Sequence, residues 1–210
     1  MSDRVRLLIA TRNQGKLREY RQLLANMPVE ITDLDELGIT EEVAETGSTF
    51  VENAVQKALT YARLSGLWTW ADDSGLEVDA LGGEPGVHSA RFAGLEATDA
   101  DRYGLLLQRM AHVPPGQRTA RFYCVIAIAT PEGHVEVAEG RCEGEIALAP
   151  RGVHGFGYDP VFYLPDHGCT MAELPLEEKN RISHRARATQ AAQRILERML
   201  ADLEKADNCL

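Results

Sequence analysis

Two adjacent carboxylates, Asp72 and Asp73, follow a short apolar run and precede a serine and a glycine. The apolar run, residues 67–71, predicts a buried strand that stops at the acidic pair, and ligands gather at strand ends in α/β sheets. Because neighbouring carboxylates repel each other, a site that keeps both adds a cation, a proton or a lysine. Mg²⁺ takes carboxylate oxygens and waters and bridges to phosphates. The pair therefore indicates metal or catalytic chemistry, and a solvated turn is the plain alternative.

A polar, glycine-bearing loop precedes the first predicted helix. Residues 5–10 predict a strand, the loop Thr11-Arg12-Asn13-Gln14-Gly15-Lys16 follows, and an apolar stripe predicts a helix over 16–26. Free N–H groups at a helix N-terminus favour an anion, and Lys16 adds a positive charge there. The spacing and the second glycine of a P-loop are missing. The loop indicates phosphate binding, with an ordinary turn and an exposed lysine as the alternative.

Glu45 stands just before a turn cluster that leads into a second helix. The helix is predicted over 50–65, and Asn53 and Lys57, four residues apart, share a face that differs from its apolar face. A run of acidic residues is usually a solvated surface. Glu45 differs because the turn that follows it fixes its place beside the helix start.

Two later segments combine glycines, aromatic rings and cations. Residues 152–160 are dense in glycine, which lets the backbone approach a ligand closely, and aromatic side chains there can stack on a base. Ser183 is expected to cap the last helix and to place His184 and Arg185 in its first turn. Since basic residues oppose the helix dipole at that end, an anion or a polar ligand would account for them.

The elements that must position these residues predict a mixed α/β fold. The chain starts with strand–helix units, whereas residues 121–129 and 135–139 form a hairpin signal and 141–148 a further strand. We expect an elongated mixed sheet with flanking helices, two lobes and a central active-site cleft. With no internal repeat and no clear linker, residues 1–210 are expected to form a single domain.

Composition narrows the functional class. The formal net charge of −10 over 210 residues disfavours nucleic-acid binding, which depends on neutralising phosphates. The four cysteines form no CxxC pair, so a reducing cytoplasmic setting is expected. No apolar run approaches the roughly 20 residues that span a membrane.

Together these residues supply what a nucleoside triphosphate with Mg²⁺ requires: acids, several cations, a helix N-terminus, glycine loops and aromatic rings. The sequence resembles the noncanonical purine nucleoside triphosphate pyrophosphatases, the inosine/xanthosine triphosphate pyrophosphatase or Ham1-like family. The matching segments cover most of the chain in family order: 11–16, 45–47, 49–54 with Lys57-Ala58, 71–76, 85–91, 155–160 and 182–185.

The resemblance implies hydrolysis of ITP, dITP and XTP to the monophosphate and pyrophosphate, with Mg²⁺, by a homodimer. Water would attack the α-phosphorus. Asp73 matches the proton acceptor of the family, and Asp73 and Glu45 match its metal carboxylates. Because Ala44 precedes Glu45 where many relatives have a second acid, the choice among Glu45, Asp72 and Asp73 as direct metal ligands stays open. The substrate-binding positions implied are Thr11, Arg12, Asn13, Gln14, Gly15, Lys16, Lys57, Ser74, Phe156, Gly157, Tyr158, Asp159, Lys179, His184 and Arg185, with Phe156 stacked on the purine.

Three other functions stay open from the sequence. One is a related pyrophosphatase with another base preference, such as a modified pyrimidine. Another is a nucleotide sensor that binds without hydrolysis, although binding alone needs no positioned base. The third is a nucleic-acid binding module, which the acidic balance disfavours.

Overall fold

The computed structural model describes residues 4–207, which contain five α-helices and seven β-strands. The helices are α1 (Gln14–Leu23), α2 (Phe50–Ser65), α3 (Asp99–Arg109), α4 (Leu176–Ile182) and α5 (His184–Asp207). The strands are β1 (Val5–Ile9), β2 (Val29–Asp33), β3 (Trp68–Val78), β4 (Thr119–Ala129), β5 (Val135–Ile146), β6 (Phe162–Leu164) and β7 (Cys169–Thr170). No helix in this part of the chain is both long enough and apolar enough to cross a bilayer.

The strands form one mixed sheet in the order β2-β1-β3-β4-β5-β6-β7. β1 is parallel to β2 and to β3, whereas β6 is antiparallel to β5 and to β7. The hairpin turn between β4 and β5 is closed because Thr130 N–H donates to the His134 carbonyl at 2.9 Å. The predicted mixed α/β fold with helices beside the sheet is thus confirmed.

The chain divides into two compact units. Within the described residues, the first comprises 4–73, 125–140 and 187–207, and the second comprises 74–124 and 141–186. β3, β4 and β5 each contribute residues to both units. The single domain, the elongated shape and the central cleft stay predictions.

The first unit has a core built where the amphipathic α1 meets β3. Trp70 is fully buried and contacts Tyr20 edge to face, with ring centroids 5.7 Å apart. Thr49 caps α2 by accepting from the Glu52 N–H at 3.1 Å, and Gly66 ends the helix with φ 67. The left-handed conformation there suits glycine because it has no Cβ. These local signals set where α2 begins and ends.

The second unit has a separate apolar core. Its members come from β3, α3, β4, β5 and β6 and include Leu76, Leu106, Phe122 and Phe162. The Phe122 and Phe162 rings lie 4.3 Å apart between centroids. Thr98 starts α3 with a complete capping box, as its spacing with Asp101 indicates. The core therefore packs α3 against the parts of β3, β4 and β5 that lie in the second unit.

The structure corrects three boundaries. The strand expected to stop at the acidic pair continues through it to Val78. The two strands expected on either side of Gly140 are one strand, β5, in which Gly140 is buried. The first helix begins at Gln14 and ends at Leu23, not over 16–26. A pattern of polarity places strand ends poorly when buried polar groups have partners elsewhere in the fold.

Arg118 is a buried cation in the second unit that bonds to backbone carbonyls. Its guanidinium donates to the carbonyls of Ile146 at 2.7 Å, Met110 at 2.7 Å, Val113 at 3.0 Å and Ala147 at 3.1 Å. Burial lowers the pKa of Arg118. The Met110 and Val113 carbonyls follow α3, where a cation also meets the negative end of the helix dipole. Arg118 thus ties the end of α3 to the end of β5.

We expect Arg118→Met to lower the free energy of unfolding by about 3 kcal/mol, because buried carbonyls lose their donor. Urea denaturation measures the change. Arg181→Met is the control, since Arg181 is 70 % exposed and pairs with Glu178 on the surface, where an ion pair contributes at most about 1 kcal/mol. Equal effects of the two substitutions would contradict this role for Arg118.

Candidate active site

Three carboxylates and two lysines come together in the first unit. The Lys16 ammonium lies 2.8 Å from Asp72 Oδ2, and the Lys57 ammonium lies 2.6 Å from Glu45 Oε1. Lys57 also donates to the backbone carbonyl of Asp72. Asp73 is 5 % exposed. These five residues are named the carboxylate–lysine cluster below.

The loop after β1 delivers Lys16 to this cluster. Asn13 caps α1 by accepting from the Lys16 N–H at 3.0 Å, and Thr11 Oγ1 accepts from the Asn13 N–H at 3.2 Å. Lys16 therefore lies in the first turn of α1, where the helix dipole is positive. Gln14 and Gly15 form the start of the same turn.

Arg12, in the same loop, turns to a neighbouring segment. Its guanidinium donates to the Ile39 carbonyl at 2.8 Å and to the Glu41 carbonyl at 3.3 Å, and it lies 3.5 Å from Asp35. The structure therefore brings Lys16 to the carboxylates and places the Arg12 side chain on residues 35–42.

The electrostatics of the cluster depend on burial. Burial raises the pKa of Asp73, the charges of Lys57 and Lys16 oppose that rise, and Glu45 adds to it. Burial alone would lower the pKa of Lys57, but the charges of Asp72, Glu45 and Asp73 bring about a net rise. Lys57 is therefore positively charged, and Asp73 binds a proton more readily than an exposed aspartate does.

Asn53 joins the cluster, although sequence reasoning left it outside the proposed site. Its side-chain amide donates to Asp73 Oδ2 at 2.9 Å and accepts from the Gly47 N–H at 2.8 Å. The sequence signal was its position one helical turn before Lys57, but that spacing does not reveal the partners.

The cluster offers hard oxygen donors of the kind that Mg²⁺ prefers. Within residues 4–207, no group of three or more His, Cys, Asp and Glu side chains is arranged to hold a metal ion. Glu45 and Asp73 are the two predicted metal carboxylates. Both lie close enough to Lys57 for their charges to raise its pKa. Two carboxylates suffice for an ion that keeps several waters and binds phosphate oxygens, so these residues fit the metal.

A second group of predicted residues surrounds Phe156 in the second unit. The Lys179 ammonium lies 4.8 Å and the Arg185 guanidinium carbon 5.4 Å from the Phe156 ring centroid. Lys179 is 2 % exposed and lies 2.6 Å from Asp159 Oδ2. The same oxygen accepts from the Phe156 N–H at 2.9 Å. The Lys179–Asp159 pair thus holds the ring and its backbone; we name these four residues the aromatic–cation cluster.

The remaining predicted residues of the second unit lie near this cluster or in the core. The Arg185 guanidinium is 3.3 Å from Ser74 Oγ. His184 stacks on Phe122 with ring centroids 4.6 Å apart. Tyr158 is buried, and its hydroxyl donates to the Ser89 carbonyl at 2.9 Å.

Two helix ends determine where these side chains lie. Ser183 ends α4 with extended backbone and accepts from the Ala186 N–H at 3.2 Å, so it starts α5 as predicted. His184 and Arg185 therefore occupy the first turn of α5. At the start of α3, Asp99 Oδ2 accepts from the Gly157 N–H at 2.7 Å. Asp99 is a further residue that sequence reasoning missed, because its contact joins positions far apart in the chain.

The sequence of the chain is similar to a family of known proteins. Residues 7–195 match a model of the Ham1 family. The dITP/XTP pyrophosphatase of Geobacillus kaustophilus is 56 % identical over 182 residues, 87 % of this chain and 89 % of the relative. That of Symbiobacterium thermophilum is 54 % identical over 200 residues, 95 % of this chain and 98 % of the relative.

A solved structure has the same fold. The Ham1 protein from Coxiella burnetii superposes with a TM-score of 0.84 at 42 % identity and covers 92 % of this chain and 99 % of its own. The resemblance seen in the sequence motifs is confirmed by these three comparisons. The chain therefore belongs to the Ham1 family.

Proposed function

We propose that this protein hydrolyses noncanonical purine nucleoside triphosphates (ITP, dITP and XTP) to the nucleoside monophosphate and pyrophosphate. The observation that carries the proposal is the partly buried carboxylate–lysine cluster with the buried Asp73 in it, because such a cluster suits a polyphosphate and its reaction. The relatives at 56 % and 54 % identity are dITP/XTP pyrophosphatases, and this supports the choice of substrate.

Asp73 is the proposed general base. It accepts a proton from the water that attacks the α-phosphorus, and the bond from that phosphorus to the bridging oxygen of pyrophosphate breaks. Burial raises the pKa of Asp73, and a general base works best when its pKa approaches the working pH. Asn53 donates to one oxygen of the carboxylate, which supports a fixed orientation for proton transfer.

Glu45 and Asp73 would hold Mg²⁺, and the bound ion would supply positive charge to the triphosphate. Lys16, Lys57 and the loop from Thr11 to Lys16 are proposed to bind the phosphates. In this structure the two lysines pair with Asp72 and Glu45. Phosphate oxygens therefore compete with carboxylates for the same cations.

The aromatic–cation cluster is proposed to bind the base. Phe156 stacks on the purine, and Ser74, Gly157, Tyr158, Asp159, Lys179, His184 and Arg185 complete that group. A donor such as Arg185 or a backbone N–H pairs with a 6-keto oxygen, whereas the 6-amino group of adenine would leave the donor without a partner. We also propose a homodimer, as the family resemblance implies, and a cytoplasmic location, as the cysteine pattern indicates.

Pyrophosphate release from ITP, dITP, XTP, ATP, GTP, CTP and UTP, with and without Mg²⁺, tests the proposed function. We expect Mg²⁺-dependent release from the first three and little from the others. Release from other nucleotides would retain the chemistry and reject the base preference. Tight binding without release from any nucleotide would favour a sensor.

We expect Asp73→Asn to lower kcat by about 1,000-fold while the melting temperature changes little, because the amide keeps the shape but cannot accept the proton. Steady-state kinetics and thermal unfolding measure both quantities. Asp79→Asn is the control, since Asp79 lies just beyond β3, bonded to Thr119 and Arg121. A near-normal rate with unchanged melting would remove Asp73 from the role of base.

We expect Lys16→Ala to raise KM for ITP by about 10-fold or more, because a charge-assisted contact to phosphate is lost. Arg18→Ala, at an exposed position of the same helix, is the matched control for loss of positive charge. The same KM in both variants as in the wild type would exclude Lys16 from the phosphate site.

A further inference from the structure

We propose that Asn53 is a positioning residue that fixes the Asp73 carboxylate and the Glu45–Gly47 segment in a single arrangement. The inference rests on the proposed function, because the arrangement matters only if Asp73 takes part in the reaction. It assigns to a neutral helix residue the task of relating two acidic groups from separate parts of the chain.

The amide of Asn53 forms hydrogen bonds at both of its ends. Asn53 is fully buried. Its oxygen accepts from the Gly47 N–H at 2.8 Å, and its nitrogen donates to Asp73 Oδ2 at 2.9 Å. A single side chain on α2 therefore connects the segment that carries Glu45 to the strand that carries Asp73.

The two partners permit one orientation of this amide. The Gly47 backbone N–H is only a donor, so the amide oxygen must face it. The amide nitrogen then faces Asp73, whose carboxylate is an acceptor when ionised. The reverse orientation would set donor against donor at Gly47 and oxygen against oxygen at Asp73. The amide is thus locked, and no carboxylate or hydrocarbon side chain of equal size satisfies both partners.

The space around Gly47 also shows that it lies close to the Asn53 side chain. A Cβ atom at position 47 would lie 2.7 Å from Asn53 Oδ1 and 2.7 Å from Glu52 Cβ. Real Cβ atoms do not approach other heavy atoms so closely, so any larger residue would displace Asn53 or the segment before α2. The turn therefore requires a glycine for the sake of the amide contact rather than for its backbone angles.

Lys57 links the same helix to the second carboxylate, Glu45. It lies one turn after Asn53 on α2 and pairs with Glu45 at 2.6 Å, while Asn53 bonds to Asp73. The same helix thus sets both carboxylates, one through a charge and one through an amide. A shift of about 1 Å in a reacting group can lower a rate by about 100-fold.

Asn53→Asp tests the inference because it keeps the size and the acceptor for Gly47 but replaces the donor with a carboxylate oxygen. We expect kcat for ITP to fall by about 100-fold and KM to change by less than about 3-fold. Binding of α,β-methylene ITP in EDTA, measured by calorimetry, should also change by less than about 3-fold. Gln56→Glu, at an exposed position of the same helix, adds the same charge and should leave kcat unchanged.

Asn53→Ala separates the loss of positioning from the effect of an added charge, since it removes both hydrogen bonds and adds no charge. We expect a folded protein with the same selective loss of kcat. Normal kcat in either folded variant, or a rise in KM alone, would overturn the positioning role while the wild type stays active. If Asn53→Asp does not fold, Asn53→Ala and Gly47→Ala decide the matter by the same kcat criterion. An inactive wild type would overturn the proposed function and this inference together.

Discussion

The carboxylate–lysine cluster depends on one constraint: several negative charges must share a site that excludes most water. Transfer of an unpaired charged group to such a site costs several kcal/mol. Lys16 forms an ion pair with Asp72 at 2.8 Å, and Lys57 forms one with Glu45 at 2.6 Å. The Asn53 amide donates a hydrogen bond to Asp73. Because these partners lie on α1 and α2, the two helices must lie where they do for Asp72 and Asp73 to stay buried.

The aromatic–cation cluster meets a related constraint with different groups. Lys179 and Asp159 form a nearly buried pair, and the Asp159 carboxylate also binds the backbone of Phe156. Gly155 permits this, since a Cβ there would lie 2.1 Å from Asp159 Oδ2 and its φ is 77. Here the ion pair shapes a loop, whereas in the carboxylate–lysine cluster the pairs hold acids and lysines from separate segments together.

Local physics made much of this predictable from sequence. The helix expected over 50–65 and the hairpin of β4 and β5 depend on signals within a few residues, and the structure confirms both. Polarity usually marks a strand end, so the acidic pair is expected there, yet β3 continues to Val78. The pair stays within the strand because its partners come from distant helices, and no local pattern contains that information.

The residues that sequence reasoning missed share the same origin. Asn53 has the spacing of a site residue, but its value comes from Gly47 and Asp73 on either side of it. Asp99 and Arg118 act on backbone groups 58 and 28 positions away, and such pairings follow only from the fold. Sequence motifs identify the chemical groups of the site, whereas the tertiary structure determines which groups pair with one another.

The pairing of Lys16 and Lys57 with carboxylates has a thermodynamic consequence. Under the proposed phosphate-binding role, Lys16 and Lys57 already carry internal counter-ions, so a polyanion would bind by exchange. Each lysine that turned to a phosphate would leave an acid in need of positive charge. A divalent cation meets that need, so nucleotide and cation would each strengthen the other's binding by the same factor. The internal ion pairs would then favour binding of the nucleotide and the cation together over binding of either one alone.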